Sequence, residues 1–326
     1  MRCLTLARAL TARGAACAFV ESRASAPVLR RFGWPAQTLL AISGAEKLDG
    51  LVAYAEDFAR LFQPDVVVVD HYGVDESHER RLAGEARRLV VLDDLADRAH
   101  ACDLLVDPGY GRKAEAYRGL APPGATIFAG PAYALVRSEF AAARGRALSR
   151  RARHPPAARG LISLGLTDVG GATARTTAAI APVLESLRLD IVVGAGAPSL
   201  PELEQRAGAD RRLRLWIDSG AMASLMADAD VAVGAGGSSV WERAVVGLPS
   251  ATVILAANQR PMVERMAAAG LTLAVDAEAP DFAARLAEAW TQLAGDRDLR
   301  WRLAERSADL CDGHGAERVA EAVLQL

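Results

Sequence analysis

Lysine is almost missing from this chain. Of its 38 lysines and arginines only Lys47 and Lys113 are lysines, and 40 aspartates and glutamates leave a net charge of -2. Without a basic excess, a general nucleic-acid binder is excluded. The arginine bias, with abundant alanine, points to a GC-rich genome and says little about chemistry. Cysteine is scarce as well. Cys3, Cys17, Cys102 and Cys311 are scattered with no CxxC spacing, so buried thiols in a reducing compartment, the cytoplasm, are expected rather than disulfides or a metal site. Long apolar runs are absent too. None approaches the ~20 residues of a membrane span, so no membrane insertion is expected.

What is present describes an ordered globular protein. The chain has 326 residues, 51% hydrophobic and 24% charged, too long for one hydrophobic core, so two domains are expected. Apolar strand runs alternate with helical patterns, which predicts doubly wound α/β architecture. In the first half 16–20, 65–69, 89–92 and 104–106 read as strands, and 2–13 and 45–62 as amphipathic helices. The segment RGRALSRRARHPPAAR (144–159) is basic, contains proline and lacks an apolar stripe. It reads as a linker, or as a basic phosphate-gripping arm. The expected division is an N-terminal Rossmann-like domain (1–145), a linker (146–159) and a C-terminal Rossmann-like domain (160–326), facing each other across a cleft. Strands are expected at 160–163, 190–193, 212–216, 231–233 and 251–255, and helices from about 172, 281, 296 and 315.

The most informative stretch is DVAVGAGGSSVWERAVVGLPSA (230–251). Val231 to Val233 predict a buried parallel strand. Gly234, Gly236 and Gly237 allow a sharp turn and close approach to a ligand. Ser238 and Ser239 stand where N-cap hydroxyls belong, so free N–H groups would point at the turn and make a phosphate seat. Glu242, one helical turn on, could accept from ribose hydroxyls. An ordinary βα loop whose glycines only make the turn has the same pattern.

Polar residues also gather at the predicted strand ends, where open parallel sheets bind ligands. They are Asp70, His71 and Tyr72 after VVVV, Asp93 and Asp94 after VVL, and Asp107 after LLV. Strands must end in something polar, but Asp70-His71-Tyr72 offers a carboxylate, an imidazole and a phenol together. A dinuclear metal site from Asp70, Asp93 and Asp94 is conceivable, yet no second histidine lies at ligand spacing, so no metal and no cofactor are expected. His78, His100 and His154 read as surface or helix-end residues.

The blocks VVVVDHYGVD (66–75), VVLDDLADRAHACDLLVDPGY (90–110), FAGPAYALVRSEF (128–140), GAGGSSVWERAVVGLP (234–249), AANQ (256–259) and DGHGAERV (312–319) span most of the chain in order. Through them the chain resembles the UDP-2,4-diacetamido-2,4,6-trideoxy-β-L-altropyranose hydrolases of pseudaminic acid biosynthesis. It is more distantly similar to the UDP-N-acetylglucosamine transferase of peptidoglycan synthesis. Both have the GT-B fold. The resemblance implies metal-independent hydrolysis of a UDP-sugar at the anomeric C–O bond with inversion, releasing UDP and 2,4-diacetamido-2,4,6-trideoxy-L-altrose. It implies UDP binding by Ile217 (uracil, through backbone), Met222, Gly236, Gly237, Ser238, Ser239 and Glu242. Asn258 and Gln259 would hold sugar or diphosphate, and Tyr72 would reach the sugar.

Two departures from the family pattern stand out. SLGLTD (163–168) has Leu166 where relatives usually have a second glycine. In the family, moreover, a strand and a G-x-G-H turn precede the helix that here begins MRCLTLARAL, and that histidine is the expected general base. The resemblance therefore implies a start upstream of Met1, a first sheet strand missing from this sequence, and UDP binding without normal turnover for residues 1–326, with His71 the nearby imidazole left to substitute. Rival readings are a GT-B glycosyltransferase, a UDP-sugar 2-epimerase and a catalytically dead UDP-sugar binder. For a lipid acceptor only Arg30, Arg31, Phe32 and Trp34 suggest a patch, and they read more simply as a helix end on the core.

Overall fold

The β-branched runs become parallel strands and the amphipathic segments become the helices between them. The computed structural model describes residues 1–21, 25–35, 39–41 and 47–326. Residues 45 and 46 of the expected helix 45–62 lie outside them. The chain divides into two compact units, Met1–Val136 with His314–Leu326, and Arg137–Gly313.

The first unit carries helix α1 (Arg2–Thr11), strand β1 (Phe19–Glu21), α2 (Ala26–Arg31), β2 (Leu39–Ala41), α3 (Leu48–Phe62), β3 (Val66–Val69), α4 (Glu76–Ala83), β4 (Arg88–Leu92), β5 (Leu104–Asp107) and β6 (Thr126–Ala129). Strands β3 to β6 form a parallel sheet in chain order, with Val69 opposite Val91 and Leu92 opposite Val106. Alternate residues feed two faces. Val66, Val68, Val90, Leu92, Leu104 and Val106 pack with Leu6 and Leu10 of α1. Val67, Val69, Leu89, Val91 and Leu105 pack with Val52, Leu82 and Tyr117. Among the described residues β1 and β2 pair only with each other, in a second, two-stranded parallel sheet. Trp34 meets the Phe19 ring edge-on at 4.9 Å, so the α2 end packs on its own neighbours.

The second unit contains α5 (Ser138–Arg151), β7 (Arg159–Ser163), α6 (Ala172–Ile180), β8 (Arg188–Val193), α7 (Leu200–Ala209), β9 (Leu213–Ile217), α8 (Met222–Asp228), β10 (Val231–Ala235), α9 (Ser239–Val245), β11 (Ser250–Ile254), α10 (Arg260–Ala268), β12 (Leu273–Asp276), α11 (Phe282–Gly295) and α12 (Arg297–Ala308). Its six strands are all parallel, in the order β12-β11-β10-β7-β8-β9. This is the Rossmann arrangement, and the direction of winding reverses between β7 and β10. Trp290 of α11 is fully buried and lies where a side chain on Gly160 would stand, 2.2 Å from that Cβ position.

Two expectations about organisation are corrected. The basic run is not a linker, because Arg144 to Arg151 continue helix α5 inside the second unit. Two of its arginines bind backbone carbonyl oxygens. Arg144 donates to the carbonyls of Val245 (2.7 Å), Ala308 (2.9 Å) and Cys311 (3.1 Å), and Arg151 to those of Met226 (2.8 Å) and Ala229 (3.0 Å). The division therefore falls before Arg137, not near 145. Helix α13 (Gly315–Gln325) belongs to the first unit, not the second. Its apolar face, Val319, Ala320 and Val323, joins the core under α1 and β4.

Candidate functional site

At the reversal point of the second sheet, strand β10 runs into the turn Gly236–Ser239. Gly236 donates its amide to Val253 O (3.0 Å), ending the ladder, and Val240 and Trp241 donate to Gly237 O and Ser238 O. Among the described residues no protein acceptor meets the amides of Gly237, Ser238 and Ser239. Gly237 and Ser239 are half-buried and Ser238 is exposed, so the turn lies at the surface of the unit. A side chain on Gly236 would lie 2.7 Å from Val263 Cγ2 and 3.1 Å from Gln259 Oε1. The glycine is therefore needed for packing as well as for the turn.

The expected serine N-caps are not formed. Ser238 is already in helical backbone geometry with no side-chain cap bond, and Ser239 Oγ accepts instead from Arg243 Nη1 at 3.2 Å. The hydroxyl is drawn inward because Arg243, one turn on, is buried beneath the turn. Glu242 is held by Arg137, whose Nη2 and Nε lie 3.0 and 3.2 Å from Oε1. Burial raises the Glu242 carboxyl above its usual range, against the pull of Arg137.

The other second-unit residues cluster at the same carboxyl edge. Ile217 ends β9 and is exposed, while Met222 opens α8 and is buried, a packing residue. Asn258 is exposed in the turn after β11. Gln259 Oε1 accepts from the Leu255 amide at 3.0 Å, so its side chain braces the β11 turn beside Gly236 rather than reaching outward. Leu166 faces Gly194: its carbonyl lies 2.3 Å from where a Gly194 Cβ would be.

In the first unit a network joins the ends of β3 and β4. Arg2 Nη2 meets Asp70 Oδ1 at 2.6 Å, and its Nη1 meets Asp94 Oδ2 at 2.8 Å. The exposed Tyr72 hydroxyl donates to Asp94 Oδ2 at 3.2 Å. Burial and then Asp94 raise the Tyr72 phenol pKa. His71 is exposed, and its Nδ1 accepts from the Gly73 amide at 3.0 Å. An amide can only donate, so Nδ1 is the acceptor of this bond. In this geometry the Nδ1 lone pair is engaged by the Gly73 amide.

Asp93 is buried and accepts from the Leu95 and Ala96 amides, Arg98 and Tyr117. Tyr117 Oη also reaches Asp107 Oδ2 at 2.8 Å. No group of three or more His, Cys, Asp or Glu side chains able to hold a metal ion occurs among the described residues. Asp70, Asp93 and Asp94 are instead tied to guanidinium groups. His100 is not a surface residue: it is buried, with Nδ1 2.7 Å from Glu79 Oε1, whose charge compensates a buried imidazolium. His78 is the helix-end residue expected, completing a capping box with Asp75 at α4. Arg2, Arg137 and Arg243 were missed by sequence reasoning. Arg137 and Arg243 lie inside the quoted blocks, but their direction is set by packing.

The fold of this chain is the GT-B type, two α/β units each built on parallel strands. It is similar to a UDP-N-acetylglucosamine 2-epimerase of Neisseria meningitidis solved with UDP-N-acetylglucosamine, at a TM-score of 0.68 and 14% identity over 100% of this chain and 98% of that one. It is likewise similar to MurG of Acinetobacter baumannii, at 0.67 and 14% over 100% and 95%. In sequence it is similar to the UDP-2,4-diacetamido-2,4,6-trideoxy-β-L-altropyranose hydrolase of Campylobacter jejuni, 25% identical over 207 residues, 63% of this chain and 72% of that protein. No family model matches the chain. No helix among the described residues is long and apolar enough to cross a membrane.

Proposed function

We propose that this chain is a UDP-sugar-processing protein whose reaction is hydrolysis of UDP-2,4-diacetamido-2,4,6-trideoxy-β-L-altropyranose. The observation that carries the reading is the Gly236–Ser239 turn at the reversal point of the second sheet, with three amides open to an anion. The Campylobacter jejuni relative and the UDP-N-acetylglucosamine-bound structural neighbour support the substrate class.

In this reading the diphosphate rests on the turn, and the ribose hydroxyls meet Glu242, held in place by Arg137. Uracil lies along the backbone at Ile217, and Met222 packs beneath. Asn258 contacts sugar or diphosphate, and Gln259 shapes the turn. Water attacks C1 of the sugar and the C1–O bond breaks. Its electron pair leaves with UDP, whose growing charge the open amides stabilise. The proton lost by water passes to a base, and the sugar leaves with inverted configuration. From the first unit the exposed Tyr72 is the donor for the sugar.

The test is incubation of the protein with this UDP-sugar while free UDP is followed, with and without acceptor alcohols, beside isothermal titration with UDP. UDP release without acceptor supports hydrolysis. Release only with an acceptor indicates a glycosyltransferase, and epimerisation of UDP-N-acetylglucosamine an epimerase. UDP binding with no turnover of any substrate leaves a binding protein.

A further inference from the structure

Beneath the turn lies a charge that the hydrolysis scheme does not use. Arg243 is 3% exposed, and its guanidinium folds back from α9 under the end of β10. A side chain on Gly234 would lie 2.1 Å from Nη1 and 2.5 Å from Cζ, so glycine is what admits the group. Nη2 donates to Ala235 O (3.0 Å) and Thr252 Oγ1 (3.3 Å), Nη1 to Ser239 Oγ (3.2 Å), and Nε to Ser250 Oγ (3.3 Å). Each of these acceptors is neutral. Among the described residues no carboxylate stands within ion-pair distance of Arg243, and the adjacent Glu242 is engaged by Arg137.

A buried cation whose hydrogen-bond partners are all neutral is costly unless a counter-charge comes near, and Glu242 acts on it only at a distance beyond an ion pair. Burial lowers the Arg243 pKa to about 10, so the group still carries its charge at neutral pH. Of the other buried arginines of this unit, Arg151 and Arg300 lie against carbonyls at helix ends, whose partial negative charge compensates them, and Arg137 lies against Glu139 and Glu242. Arg243 instead reaches the hydroxyl of Ser239 in the turn.

We propose that Arg243 is a positioning residue: its guanidinium is the resident positive charge against which a diphosphate is held on the Gly236–Ser239 turn, favouring nucleoside diphosphates over uncharged nucleosides. The inference rests on the nucleotide-binding reading above and adds the origin of its charge selectivity. Because the guanidinium is shielded from solvent, its attraction is little screened by salt.

The experiment measures binding of UDP, uridine and inorganic pyrophosphate to the full chain and to Arg243→Gln and Arg243→Lys. Isothermal titration and ligand-observed NMR supply the affinities, and circular dichroism checks folding. Arg243→Gln is expected to weaken UDP about tenfold or more while uridine changes less than twofold, and Arg243→Lys to recover most of the loss. Equal weakening of UDP and uridine, or equal loss in the Lys and Gln variants, would overturn the proposal and leave Arg243 a packing residue. Unchanged UDP affinity in Arg243→Gln overturns it while nucleotide binding stands. If the wild type ignores UDP but binds pyrophosphate, and Arg243→Gln does not, the nucleotide reading fails and the counter-charge stands. Binding of neither anion by the wild type defeats both.

Discussion

Glu79, His100, Asp93, Tyr117 and Asp107 form one buried polar chain behind strands β4 and β5. Burial opposes the charge on His100, but the carboxylates of Asp93 and Glu79 outweigh it and raise its pKa to about 9. Its Nε2 lies 3.8 Å from Asp93 Oδ2, so that contact is ionic rather than a hydrogen bond. The folded imidazole binds its proton more tightly than the unfolded one, whose pKa is 6.5. Its contribution to stability is therefore complete below that value and is lost as pH climbs through about 9. Thermal melts of the wild type should fall across this window. His100→Gln should melt lower at neutral pH and show a flatter decline; an unchanged slope would remove His100 as the cause. Gly234→Ala is a second test at this scale. Its Cβ displaces the Arg243 guanidinium, costing ~1–3 kcal/mol of stability and weakening UDP binding.

At the scale of elements, arginine closes helix ends throughout the second unit. Arg144 reaches the terminal carbonyls of both α9 and α12, Arg151 those of α8, and Arg300 those of α11 through Leu293 O (2.8 Å) and Ala294 O (2.7 Å). The planar fork with five donors can satisfy several orphan carbonyls at once, which an ammonium on the same stem cannot do in one geometry. Burial lowers the Arg151 pKa to about 9, yet the carbonyls hold it in place. Arg151→Met should leave these carbonyls unpaired and cost ~2–4 kcal/mol, read as a lower Tm in differential scanning calorimetry. Arg151→Lys should recover only part of that loss. The arginine bias was visible in composition, but its use was not. A run of charges without an apolar stripe is indistinguishable from a solvated linker until the carbonyls it faces are known.

For the whole molecule, the chain leaves the first unit at Val136 and returns to it at His314. The return places Gly315 against the carbonyl of Ala134, 2.3 Å from where a Cβ would stand, and lays α13 on the α1 side of the first core. Removing residues 314–326 should strip Val319, Ala320 and Val323 from that core. The expected result is a loss of ~3 kcal/mol or more and binding of a hydrophobic dye by the first unit. Saturating UDP should raise the unfolding transition of the second unit, by ~2.7 kcal/mol at a hundredfold excess over Kd, through binding to the native state alone. A calorimetric trace in which UDP moves no transition would contradict placement of its seat at Gly236–Ser239.

Most strands, though not β2, β6 or β12, several helices and the glycine turn at 234–239 were legible in the sequence because each depends on local periodicity and backbone freedom. Val231 to Val233 and the glycines after them specify a buried strand and a sharp turn whatever surrounds them. The quoted blocks likewise carried the likeness to UDP-sugar enzymes without any coordinates. Contacts between residues far apart along the chain were decided only by the tertiary structure. Glu242 meets Arg137, His100 sinks between Glu79 and Asp93, and α13 crosses back to the first unit. The turn itself keeps its open amides, but Ser239 faces inward because Arg243 is buried beneath it. The direction of a long polar side chain follows from which buried oxygens lack a partner, and that is a property of the folded molecule rather than of any segment of it.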